Sequence, residues 1–100
     1  MAKKNIQEVR RPPVERFIDD QCFRVPGARI KSSEFTNRFT EWQKSEDGPT
    51  LTKGMISRQI PSDILQGYSS GDKWVANLSW DDTPVKDSQP WLLVGKKLYR

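Results

Sequence analysis

Residues 31–60 read KSSEFTNRFTEWQKSEDGPTLTKGMISRQI, and the periodicity of this stretch decides the fold. Phe35, Phe39 and Trp42 stand at i, i+4 and i+7 on one face of a helix, with Ser33 placed to cap its first turn. Glu46-Asp47-Gly48-Pro49 makes a turn, and Thr52 stands where it can cap a second helix that Pro61 closes. On that second helix Met55, Ile56 and Ile60 are expected to share the inner side. At ~100° per residue the outer side then carries Gly54, Ser57 and Arg58, with Lys53 flanking. A small, polar and basic outer face suits a nucleic-acid groove, where bulky apolar or acidic groups would clash with base edges or phosphates. The stretch reads as a helix-turn-helix. The same residues would equally decorate a solvated surface helix, so the flanks have to supply the rest of the argument.

Upstream, Val14, Phe17, Ile18 and Cys22 recur at i, i+3, i+4 and i+8, a core-facing helix that Pro13 can start because its missing N–H costs nothing there. Asp19 and Asp20 are adjacent and do not face one another on such a helix, so they read as a solvated exit and not as a metal pair. Pro26-Gly27 signals a turn, and Ala28-Arg29-Ile30 leaves room for a brief strand. Helix, short strand, helix, turn, helix is the order in which a winged helix begins. Downstream the period becomes two: Trp74, Ala76, Leu78 and Trp80 alternate with Val75, Asn77 and Ser79, and residues 91–94 form a second extended run. These two runs pair as a hairpin whose long tip, residues 81–90, would be the wing. A tighter wing at Tyr68 to Lys73, turning at Ser69-Ser70-Gly71-Asp72, is the alternative, and the sequence leaves both open.

The expected fold is therefore α+β: a winged helix-turn-helix of three helices with a short strand and a C-terminal β-hairpin over residues 13–100. Residues 1–12 form a basic N-terminal arm or linker carrying Lys3, Lys4, Arg10 and Arg11. One hundred residues allow one domain and no deep substrate cleft. Seventeen Lys and Arg against 13 Asp and Glu give a formal charge of +4, which favours a polyanionic partner. Histidine is absent and Cys22 is the sole cysteine, so Cys/His zinc sites, His-based catalysis and an intrachain disulfide are excluded. No apolar run is long enough to span a membrane, and the expectation is a soluble intracellular protein. Asp81, Asp82 and Asp87 share one loop without a converging partner, so no metal, cofactor or enzymatic activity is expected.

Residues 14–60 resemble the C-terminal winged-helix domain of the poxvirus D5-like and P4-like phage and plasmid primase-helicases. The likeness rests on the aromatic-aliphatic pair Phe17-Ile18, the basic Arg29-Ile30 before the helix start Ser33-Glu34-Phe35, and Phe39 and Trp42 further along. It continues in Pro49-Thr50-Leu51-Thr52, one residue longer than the family's Pro-Leu-Ser/Thr entry to the third helix. After Ile60 the chain departs from the family: a longer section with Asp81 and Asp82 replaces a short basic wing. The resemblance implies a DNA-binding accessory module of phage, plasmid or viral replication, with a replication helicase or primase as a further partner. Nothing resembles a Walker loop, so no catalytic residues carry over.

The expected contacts with double-stranded DNA follow from the third helix. Arg58 meets a base edge or phosphate, Lys53 and Ser57 come next, and Gly54 allows close backbone approach. Arg29, Lys31 and Arg38 are expected at flanking phosphates, Lys86 at the hairpin tip, and Arg10 and Arg11 along the adjacent backbone. A second reading makes Trp74, Trp80 and Trp91 an exposed aromatic surface for a protein partner or for stacking single-stranded bases.

Overall fold

The structure, a computed structural model, describes residues 12–100, so the expectations for Arg10 and Arg11 lie outside the described residues. Its architecture is α+β, with three helices and a five-stranded mixed sheet. Helix α1 (Pro13–Gln21) opens on its proline and buries Val14, Phe17 and Ile18. It stops where Cys22 turns extended, and strand β1 (Phe23–Lys31) begins at once. Helix α2 (Ser32–Ser45) follows without a linker.

Ser33 does not cap α2. Lys31 is still paired with Trp74 in the sheet, so strand geometry persists up to the helix and Lys31 itself takes the capping position with no side-chain bond. Phe35, Phe39 and Gln43 form the buried line of α2, and Trp42 packs half-buried beside them. The connection 46–52 turns back tightly. Gly48 donates its N–H to the Gln43 carbonyl at 2.9 Å, and a Cβ there would lie 2.5 Å from the Gln43 amide carbon, so a larger residue would have to displace the buried Gln43 side chain.

Helix α3 (Lys53–Gln59) is capped as expected: the Thr52 hydroxyl accepts from the Met55 N–H at 3.2 Å. Ile56 and Ile60 are buried, but Met55 is 38% exposed. Two turns of helix present only a narrow stripe to the core, and Met55 lies outside it.

Strands β2 (Gln66–Ser69) and β3 (Asp72–Ser79) form an antiparallel hairpin across Ser70 and Gly71, both with positive φ (55° and 83°), the conformation of a tight two-residue turn. Strands β4 (Leu92–Val94) and β5 (Lys97–Tyr99) make a second hairpin, and β5 joins β2 in parallel through Tyr68 and Lys97. The sheet order is β1-β3-β2-β5-β4. The expected pairing of residues 74–80 with 91–94 therefore does not form. Both edges of β3 are taken by β1 and β2, and the C-terminal strands add outside β2 instead. Five strands replace the three foreseen.

The strict alternation expected along β3 also breaks, at Asn77 (φ 58°). There the ladder to β1 slips: Leu78 faces Arg24 and Ala76 faces Arg29, with four β1 residues opposite one. Asn77 fills the gap with its side chain, accepting from the N–H groups of Gly27 (3.2 Å) and Trp91 (2.8 Å) and donating to the Trp91 carbonyl (3.1 Å). Val75 and Leu78 consequently join the main core of Phe17, Phe35, Phe39, Ile56 and Ile60. Ala76 forms a second cluster with Trp91 and Leu98 on the other side of the sheet. Cys22 lies in the main core, where burial pushes its thiol up to about 12 and keeps it protonated.

Candidate nucleic-acid interface

Lys53, Gly54 and Arg58 are exposed along one side of α3. The Arg58 Nε donates to the Gly54 carbonyl at 3.3 Å, and a Cβ at Gly54 would meet nothing within 4 Å, so this side of the helix is open. Among the described residues neither Lys53 nor Arg58 has a carboxylate within ion-pair distance. A cation with no internal partner keeps its full attraction for an external anion.

Ser57 is placed differently. Its hydroxyl donates to the Gln66 Oε1 at 2.8 Å and accepts from the Lys73 ammonium at 3.4 Å, while the Gln66 Nε2 donates to the Ser57 carbonyl at 3.1 Å. These bonds fasten α3 to the β2–β3 hairpin. Ser57 sets the angle of the helix and is half-buried in doing so, and the C-terminal β4–β5 hairpin leaves Arg58 exposed.

Between the first turn of α2, α3 and the β2–β3 hairpin lies a groove of about 300 Å³. Lys31, Lys53 and Lys73 line it, with Asp72 as the one carboxylate among the described residues, 3.7 Å from the Lys31 ammonium. Ser32 and Ser33 form part of its wall, and no side chain caps the helix start there. The positive end of the helix, which Lys31 leaves without a side-chain cap, adds to the pull of the three ammonium groups. The groove can hold an anion against α3. Lys73 was not among the sequence-derived candidates. Its signal was the Ser70-Gly71 turn, which fixes the residue near the hairpin tip.

The remaining candidates lie elsewhere. Arg29 is sandwiched between Trp74 (3.8 Å to the ring centroid) and Trp91 (4.7 Å) on the side of the sheet away from α3, and Arg100 covers Trp91 at 4.5 Å. Burial, then the neighbouring Arg100, pull its pKa down. This stack welds the C-terminal hairpin to β1 and β3, which removes Arg29 from the phosphate-facing set. Arg38 lies over Trp80 at 4.8 Å on the solvent side of α2, among Glu34 and Glu41. Lys86 is exposed on the 80–91 loop, whose Asp87 carbonyl rests against Gly27 of β1. The structure thus brings Lys31, Lys53 and Ser57 to one groove with Lys73, sets Arg58 and Gly54 beside it, and separates Arg29, Arg38 and Lys86 from it.

Protein-family models, curated proteins and solved structures contain no match to this chain. The surface chemistry has to carry the reading. Among the described residues no group of three acidic or cysteine side chains could hold a metal ion, and no helix is long and apolar enough to cross a membrane. All four indole N–H groups are used within the fold. Trp42 donates to Asp20, Trp74 to the Ser69 carbonyl, Trp80 to Glu34 and Trp91 to the Gly27 carbonyl. The tryptophans serve packing and give little support to an exposed indole platform.

Proposed function

We propose that this chain is a winged helix-turn-helix that binds double-stranded DNA through α3 and the lysine-lined groove beside it. The observation that carries the reading is the pairing of Lys53 and Arg58, without a carboxylate in ion-pair distance among the described residues and on an open helix side, with Lys31 and Lys73 across the groove. The element order supports it: helix, strand, two helices joined by a tight turn, then a hairpin whose second strand inserts between the first strand and its own partner. In that arrangement the β2–β3 hairpin is the wing and α3 the helix presented to the groove of the duplex. The similarity of residues 14–60 to primase-helicase C-terminal domains supports a role as an accessory module in phage, plasmid or viral replication, beside a helicase or primase. No catalytic step is assigned to it.

The test is a titration of labelled duplex across a range of salt. Four cations at the phosphates predict a log–log slope of affinity on salt of roughly −3 to −4, at about −0.9 for each phosphate neutralised. An affinity indifferent to salt contradicts the proposal.

A further inference from the structure

We infer that the sheet face beside α3 carries a second nucleic-acid contact, a strip of Tyr68, Lys73, Lys97 and Tyr99 that takes a single-stranded extension of the bound duplex. The inference rests on the reading of α3 and its groove as a DNA surface. Paired residues on neighbouring strands share a face, so the register decides the geometry. Tyr68 stands opposite Lys73 of β3 and Lys97 of β5, and Lys97 opposite Val94 of β4. These four residues make one row across the sheet, about 14 Å long at ~4.8 Å per strand. Lys73 reaches Ser57 of α3, so the row starts at the groove and runs outward from it. Tyr99 lies two residues along β5 from Lys97 on the same face.

The chemistry of the strip fits an unpaired strand. Tyr68 and Tyr99 are 48% and 49% exposed, and no ring contact to either occurs among the described residues, so both offer a free π face. Lys97 is exposed with no carboxylate within ion-pair distance among the described residues. Aromatic faces stacking bases, interleaved with cations tracking phosphates, are how single strands are held without sequence preference. A duplex hides its base faces and gains nothing from the tyrosines. A protein strand added to the open edge of the sheet is less favoured, because β4 is only three residues long and offers a short ladder.

The experiment compares a blunt duplex, the same duplex with an oligothymidine overhang, and oligothymidine alone, at one salt concentration. The proteins are wild type, Tyr68→Ala/Tyr99→Ala and Tyr68→Phe/Tyr99→Phe, each checked for an unchanged unfolding midpoint. The expected result is about tenfold tighter binding of the overhang duplex than of the blunt one, retained by the Phe variant and abolished in the Ala variant. Equal affinity for the two duplexes, or a gain that survives in the Ala variant, overturns the inference while leaving the duplex reading intact. That outcome would return the strip and its neighbours Leu92 and Val94 to a protein partner. If the blunt duplex fails to bind, the duplex reading falls; the strip then stands only if oligothymidine alone binds and the Ala variant loses it, and falls if it does not.

Discussion

Phe17→Ala is expected to lower stability by about 3–5 kcal/mol, measured as the shift in urea unfolding midpoint. Phe17 is buried to 1% and meets Phe35 and Phe39 at 5.4 Å, Trp42 at 5.5 Å and Trp80 at 6.0 Å, all edge-to-face. Its ring joins α1 to Phe35, Phe39 and Trp42 of α2 and to Trp80 just past the end of β3. Truncation removes the transfer energy of a buried phenyl group and leaves a cavity between rigid rings that cannot close in on it. For a domain of this size the loss corresponds to a fall in melting temperature of well over 10 °C at about 4–8 °C per kcal/mol. The control is Phe23→Ala, a phenylalanine six residues on and 47% exposed, which is expected to shift stability by no more than about 0.5 kcal/mol. Equal effects from the two would contradict the packing described.

The second large effect is on binding. A Lys53→Ala, Arg58→Ala, Lys73→Ala variant is expected to bind duplex roughly 100-fold more weakly, at about 1 kcal/mol for each charged contact removed. Its salt slope should flatten by nearly 3, since three of the four cations are gone. Arg38→Ala and Lys86→Ala, singly exposed cations away from the groove, should leave the affinity nearly unchanged. If these two instead carry the loss, the DNA surface lies on the solvent side of α2 or on the 80–91 loop and α3 is not part of it. Lys73 also donates to Ser57, so unfolding midpoints must accompany the titration.

Local signals in this chain were legible in proportion to how strongly one residue type constrains the backbone. The Thr52 cap, the start of α1 at Pro13, the buried Phe35–Phe39 line and the turn before α3 all stand where spacing put them. The sheet was not legible to that degree, because strand pairing is non-local and a two-residue turn competes with a long loop. Ser70-Gly71 closes β2 onto β3 at the lowest entropic cost, and that closure displaces the later strands to the outer edge. Lys73 belongs to the tighter hairpin that the sequence leaves open as an alternative, and so it is not singled out there as a contact. Asn77 shows the same limit: a single left-handed residue moves Val75 and Leu78 to one core and Ala76 to the other, against a perfect period of two. Arg29 looked like a surface cation because nothing local in the sequence says that Trp74 and Trp91, 45 and 62 positions further along, will close on it from both sides.

The claim that α3 and its groove face the duplex is tested most directly by an amide chemical-shift map of the isotope-labelled protein titrated with blunt duplex. The account predicts shifts concentrated on residues 53–58, on Ser32 and Ser33 at the start of α2, and on Lys73, with α1 and the 80–91 loop undisturbed. Shifts confined to α1, to the solvent side of α2 or to residues 80–91, with α3 silent, would contradict it.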